Sequence, residues 1–123
     1  MVVKYLISVL LFSSIIFQSV MAQNTTRIRH TVVFKLKHVH GSQEAKNFMI
    51  AAKKLAGIQG VEKFEYLRQV SKKNKFEYGI SMEFANQLLY DKYSSHPEHV
   101  AFVQTYWVKE VEDFLEIDYQ LED

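Results

Sequence analysis

The 123-residue sequence has no cysteine, a single proline and only four glycines. The missing cysteine removes disulfides, thiolate metal sites, a thiol nucleophile and a lipid anchor on cysteine. So little glycine and proline excludes collagen-like and low-complexity chains. Neither sign of charge is in excess, since 15 Lys and Arg face 14 Asp and Glu for a net +1. That excludes a strongly basic nucleic-acid binder and an acidic solvating tail. There is no glycine-rich phosphate loop, and Ser81, Ser94 and Ser95 lie in no nucleophile elbow. Apolar and aromatic residues are plentiful: 48% of the chain is hydrophobic, with nine Phe, seven Tyr and one Trp. At this length they suffice for the core of one domain.

The first residues differ from the rest. Lys4 is followed by an apolar run, Tyr5 to Val20, broken by Ser8, Ser13, Ser14, Gln18 and Ser19. Val20-Met21-Ala22 then offers a small-residue exit before Gln23. A positive start, a short apolar stretch and such an exit describe a secretory signal peptide over residues 1–22. A membrane anchor needs about 20 apolar residues, more than this serine-dotted run supplies. Residues 23–123 are then the mature domain, secreted or periplasmic, with no stable membrane anchor. Asn24-Thr25-Thr26 is a glycosylation triplet, meaningful only in a eukaryotic host.

Within the domain, Arg27 to His38 alternates, with Ile28, His30, Val32, Phe34 and Leu36 on one face. Period two predicts a half-buried strand. Ser42 is a helix N-cap for a stripe of Ala45, Phe48, Met49, Ala52, Leu55 and Ala56, with Gly57 as left-handed C-cap. Val61 to Val70 reads as a second strand with no clear buried face. Ser71 to Lys75 is a polar hairpin loop, its lysines solvated rather than phosphate-binding. Phe76, Tyr78, Ile80, Met82 and Phe84 alternate as a third strand. Asn86 caps a helix holding Leu89, Tyr90 and Tyr93 that must stop at His96, before Pro97. Pro97 opens another helix, carrying Val100, Val103 and Trp107 with Phe102 and Tyr106 beside them. Leu115, Ile117 and Tyr119 alternate with Glu116 and Asp118 as a fourth strand.

Strand, helix, strand, strand, helix pair, strand is the order of an α+β, ferredoxin-like fold. It gives a four-stranded antiparallel sheet with helices on one face and an apolar helix-facing set. The other face carries Thr31, Val33, Gly79 and Ser81 among charges. A second copy, sheet on sheet about a two-fold axis, would cover it and form a homodimer.

Three segments carry a resemblance: Arg29 to Lys37, then Tyr93-Ser94-Ser95-His96-Pro97-Glu98-His99, then Val111 to Tyr119. In that order they resemble the stress-responsive α/β-barrel (Dabb) domain family across nearly all of the mature chain. The resemblance implies a dimeric α+β barrel with a cavity between sheet and helices in each subunit. One member, olivetolic acid cyclase, closes an aromatic ring with a Tyr and a His of this same stretch. Those positions match Tyr93 and His99, and its first-strand His matches His30. Phe48 stands where the cyclase has a first-helix Tyr, and Tyr78 where it has a third-strand His.

The resemblance suggests that His30, Tyr78, Tyr93 and His99 converge on one cavity. There His99 serves as base, Tyr93 as its hydrogen-bonding partner and His30 as the group orienting the substrate. The aromatics recur at core spacing and are mostly core. Phe34, Phe48 and Trp107 are those that, with Tyr78, would line a pocket for a small apolar or aromatic ligand. Three structural readings stand beside this one. His30 can be a satisfied core histidine, His99 can fix the helix junction, and His96 can serve that junction too. His96 with His99, and His38 with His40, are too few ligands for a metal site. No cofactor and no nucleic acid is expected. Cyclase- or lyase-like acid–base chemistry is the leading expectation. The alternatives are a non-enzymatic, stress-associated dimer that binds a ligand or is structural, and a cofactor-free monooxygenase. A native mass spectrum of protein from a secreting host is expected to show a dimer of chains beginning at Gln23. A monomer would overturn the sheet pairing, and a chain retaining residues 1–22 would overturn the signal peptide.

Overall fold

The computed structural model describes residues 26–122, so the expected signal peptide and the Asn24 acceptor of the triplet lie outside the described residues. Strand β1 spans Ile28–Leu36 and helix α1 spans Gln43–Lys53, followed by a 3-10 turn, Lys54–Gly57. Strands β2 (Glu62–Arg68) and β3 (Tyr78–Phe84) come next, then α2 (Gln87–Ser95) and α3 (Pro97–Phe102). The last helix continues through a π-helical turn, Val103–Trp107, and one α turn, α4 (Val108–Glu110), into β4 (Val111–Tyr119). The sheet order is β2-β3-β1-β4, and every pair is antiparallel. The fold is ferredoxin-like, with the helices on one sheet face. No helix among the described residues is long and apolar enough to cross a membrane.

Local chemistry sets the element ends. The Ser42 hydroxyl accepts from the Ala45 N–H, and the Asn86 side chain accepts from the Leu89 N–H. Each satisfies an amide that helix geometry leaves free. His96 closes α2 and caps α3, its Nδ1 accepting from the Glu98 N–H at 3.1 Å. Gly57 is not the left-handed cap that its position suggests. Among the glycines it is Gly41 and Gly60 that hold positive φ values, 79° and 93°. Helix α1 instead tightens into the 3-10 turn, which advances about 120° per residue. That rotation buries Leu55 and turns Ala56 outward, off the stripe the helical period assigns it.

The core lies between the sheet and the helices. Phe34 is fully buried, with its ring against those of Phe48, Tyr66, Tyr78 and Trp107 at 5.0–6.0 Å. On β2 the inner residues are Phe64 and Tyr66, while Leu67 faces out and Val70 lies beyond the strand in solvent. On the last helix Phe102 is buried and Val100 is 38% exposed. On β4 the apolar set faces away from the helices. The register pairs Thr31 with Ile117, Val33 with Leu115 and Arg29 with Tyr119, all on the open face. Glu116 and Asp118 therefore occupy the inner face, opposite Val32 and His30. The apolar helix-facing set expected from sequence holds for β1 and β3 and fails for β4.

One ion network ties the sheet together. The Glu83 carboxylate is buried at 6% exposure. It accepts from Arg29 Nη2 at 2.6 Å and from Arg27 Nε at 3.3 Å, with Lys63 Nζ also at 3.3 Å. Arg27 also pairs with Glu62. The hydrogen bond from Arg29, with those from Lys63 and Arg27, holds the Glu83 carboxyl down at about 2, against an ordinary 4.5. A carboxyl depressed in the folded state stabilises above its unfolded pKa, and that contribution is lost as pH falls through the folded value. Acid unfolding curves are expected to lose about 2 kcal/mol between pH 4.5 and pH 2 through this group. Glu83→Gln should remove that acid limb and cost a similar amount at neutral pH, measured by urea unfolding. An unchanged acid limb would contradict the assignment.

Candidate active site

A cavity of about 540 Å³ opens between the inner sheet face and the last helix. Its walls are apolar, from Val32, Ile80 and Met82 below to Phe102, Val103 and Trp107 above. Its polar groups are His30, Tyr93, His99 and the carboxylates of β4. Each comes from a different element: β1 supplies His30, α2 Tyr93, α3 His99, and β4 Glu116. The break at His96-Pro97 lets Tyr93 and His99 lie on two helices yet pack together. Their ring centroids are 4.5 Å apart.

His99 Nδ1 lies 2.9 Å from the Ser94 carbonyl oxygen. A carbonyl can only accept, so Nδ1 carries the proton and Nε2 keeps its lone pair. Burial lowers the His99 pKa below the ordinary 6.5, outweighing the Ser94 hydrogen bond that raises it. The imidazole is thus neutral at pH 7. Tyr93 is 2% exposed and lines the cavity, and among the described residues its hydroxyl makes no hydrogen bond. Burial raises its pKa well above the ordinary 10, with Glu116 adding to the rise. It therefore stays a proton donor at neutral pH.

His30 is held from behind. Its Nδ1 donates to Asp118 Oδ1 at 2.7 Å, and the Tyr90 hydroxyl donates to Asp118 Oδ2 at 2.9 Å. The carboxylate fixes the tautomer and turns Nε2 toward Glu116 Oε1, 3.7 Å away. Tyr90 is itself pushed up by burial and then by its bond to Asp118, so it remains protonated.

Of the residues singled out in the sequence, His30, Tyr93, His99 and Trp107 line one cavity. Tyr78 does not join them. Its hydroxyl lies 2.7 Å from His40 Nδ1, at the opposite end of β1's inner face. Phe34 and Phe48 are fully buried in the core behind the cavity wall. His38 bonds Glu110 at 2.7 Å and does not line the cavity. Among the described residues no group of three or more His, Asp or Glu side chains could hold a metal ion. Sequence reasoning missed Tyr90, Asp118 and Glu116. The signal was there, since β4 alternates acidic against apolar residues, but alternation does not say which face turns inward.

A family model for the stress-responsive A/B barrel domain matches residues 28–121. The chain belongs to this Dabb family. A Dabb protein of ferredoxin-like fold from Mesorhizobium loti is 56% identical, with a TM-score of 0.78 over 80% of this chain and 99% of that one. A dimeric protein of ferredoxin-like fold from Bacteroides fragilis is 25% identical, with a TM-score of 0.61 over 77% and 96% of the two chains. The hydroxynitrile lyase of Passiflora edulis shares the fold at 10% identity, with a TM-score of 0.71 over 80% and 96%. Comparison with curated proteins gives no match.

The His99 environment sets a direct expectation. Because burial disfavours its charged form, a ring-proton NMR titration should find a midpoint below 6.5. The sign follows: the unfolded chain binds this proton first, so acidification through that range destabilises the fold. A midpoint above 6.5 would mean that the ring is not buried in this way.

Proposed function

We propose that this Dabb domain is a small-molecule acid–base catalyst of cyclase or lyase type. The reading rests on one observation. The unprotonated Nε2 of His99 and the unpartnered hydroxyl of Tyr93 belong to packed rings on the wall of a single cavity. In this reading His99 takes a proton from carbon next to a carbonyl, leaving an enolate, or takes the hydroxyl proton of a β-hydroxy carbonyl, whose carbon–carbon bond then breaks to give a carbonyl and an enolate that the protonated His99 reprotonates at carbon. Tyr93 donates a hydrogen bond to the oxygen on which charge develops. His30, steadied by Asp118 and Tyr90, orients the substrate. The apolar walls select a largely hydrocarbon body and keep water from competing. A fold shared with a plant hydroxynitrile lyase is compatible with this chemistry.

The open sheet face supports a homodimer. Leu67 and Leu115 stand 43% and 50% exposed there, around Val33, Gly79 and Ile117. Three solved structures of similar fold, from Bacteroides fragilis, Thermobifida fusca and a Jannaschia species, are described as dimeric. We place the mature domain outside the cytoplasm on the character of residues 1–22.

The test is proton exchange. The protein is incubated in heavy water with small apolar ketones, and deuterium uptake beside the carbonyl is followed by NMR. Wild type should catalyse uptake, and His99→Gln should abolish it. Tyr93→Phe should lower the rate by about a hundredfold, within the range of a positioned acid or base. Uptake that survives His99→Gln would sink the assignment. No uptake by wild type would return the protein to the ligand-binding reading.

A further inference from the structure

The acid–base pair leaves one polar group of the cavity without a task. Glu116 stands on the inner face of β4, and the imidazole Nε2 of His30 lies 3.7 Å from its carboxylate. The other carboxylates on this strand are engaged. Asp118 holds His30 and Tyr90, Glu112 pairs with Lys35, and Asp113 with Lys75. Glu116 makes no ion pair with a lysine or arginine among the described residues. A carboxylate without a fixed cation, beside apolar walls, leaves a negative potential over the cavity. It attracts a cationic ligand and repels an anionic one.

Two further observations give this potential an object. Tyr93 lines the cavity, and its hydroxyl, which makes no hydrogen bond among the described residues, has lone pairs free to accept as well as a proton to give. Trp107 and Phe114, both in the wall, meet edge to face at 5.5 Å and offer aromatic surface to a ring or a cation.

We propose that the cavity takes an amphiphilic amine, an apolar or aromatic body with a protonated amino end held by Glu116. Glu116 is then the residue that sets preference for amines over carboxylates. The inference rests on the cavity being the binding site proposed above and names its substrate class. An amino ketone or amino aldehyde satisfies both.

Phenethylamine, phenethyl alcohol and phenylacetate share one body and differ in the charge of the end group. Each is titrated at neutral pH into the purified protein, following the ring signals of His99 and Trp107. The amine should bind tightest and the acid weakest, separated by about tenfold or more. Glu116→Gln is isosteric and half exposed, so it should fold, which unchanged shift dispersion would verify. It should bring amine and acid to within about threefold of one another. An acid that binds as well as the amine, or a ratio unmoved by Glu116→Gln, overturns the proposal. If no probe moves the His99 and Trp107 signals, both the proposal and the binding-site reading fall. If ketone exchange through His99 persists while the amine preference is absent, only the amine preference falls.

Discussion

The register of β1 against its two neighbours governs both the fold and the site. Every second residue of this central strand is buried, from Ile28 through His30, Val32 and Phe34 to Leu36. A slip of one residue would turn that whole set to the open face. Pairing with β3 completes the core, because Ile80 and Met82 sit opposite Val32 and His30. Pairing with β4 supplies the chemistry, since it sets Asp118 opposite His30 and Glu116 opposite Val32. A single apolar strand thus carries a histidine into the interior and brings a carboxylate alongside it. Without that carboxylate, the buried ring would keep only the longer contact of Nδ1 with the Tyr90 hydroxyl, at 3.2 Å.

Burial then divides labour among the titratable groups. Desolvation disfavours the charged form of each, and so acts in opposite senses on acids and bases. It lowers His99, which leaves a neutral ring with a free lone pair, and raises Tyr93, which keeps its proton. The two rings share one environment and are pushed apart in role by it. Ion pairing would act against this arrangement, and the strong cationic network gathers instead around Glu83, on the open face. The charge that knits the sheet is kept on the side away from the cavity.

Most of the fold was legible because periodicity and caps are local properties. Strand β1, the cap at Ser42, strand β3 and the break at His96-Pro97 each follow from a few adjacent residues. The errors arose where local signals leave a tertiary choice open. On β4, an apolar set and an acidic set alternate equally well, and only pairing with β1 decides which turns inward. Gly57 has the residue type of a left-handed cap, but the chain passes it in a 3-10 turn and takes a positive φ three residues later, at Gly60. Of the candidate site, the Tyr93 to His99 segment and His30 were readable. Tyr90 and Asp118 were not, because their role exists only through His30. Tyr78 shares β1's inner neighbourhood with His30 in sequence pattern, yet its partner is Phe34, two pairs along the ladder from Ile80 and Val32. That distance along the strand puts it at His40 instead of in the cavity.

The π-helical turn gives the last helix its place in this scheme. A regular helix from Pro97 presents one stripe, and the apolar pattern would put Val100 on it with Val103 and Trp107. The observed helix buries Phe102, leaves Val100 out, and widens at Val103–Trp107. One residue more per turn shifts the stripe, as such insertions do, and they recur at functional sites. Phe102 packs on Phe48 ahead of the shift, and Trp107 reaches both Phe34 and Phe114 after it. The same helix therefore anchors in the core and forms the cavity roof. Phe102 and Trp107 both pack on Phe48 and both line the cavity, so the widened turn keeps the two aromatics on one inner face.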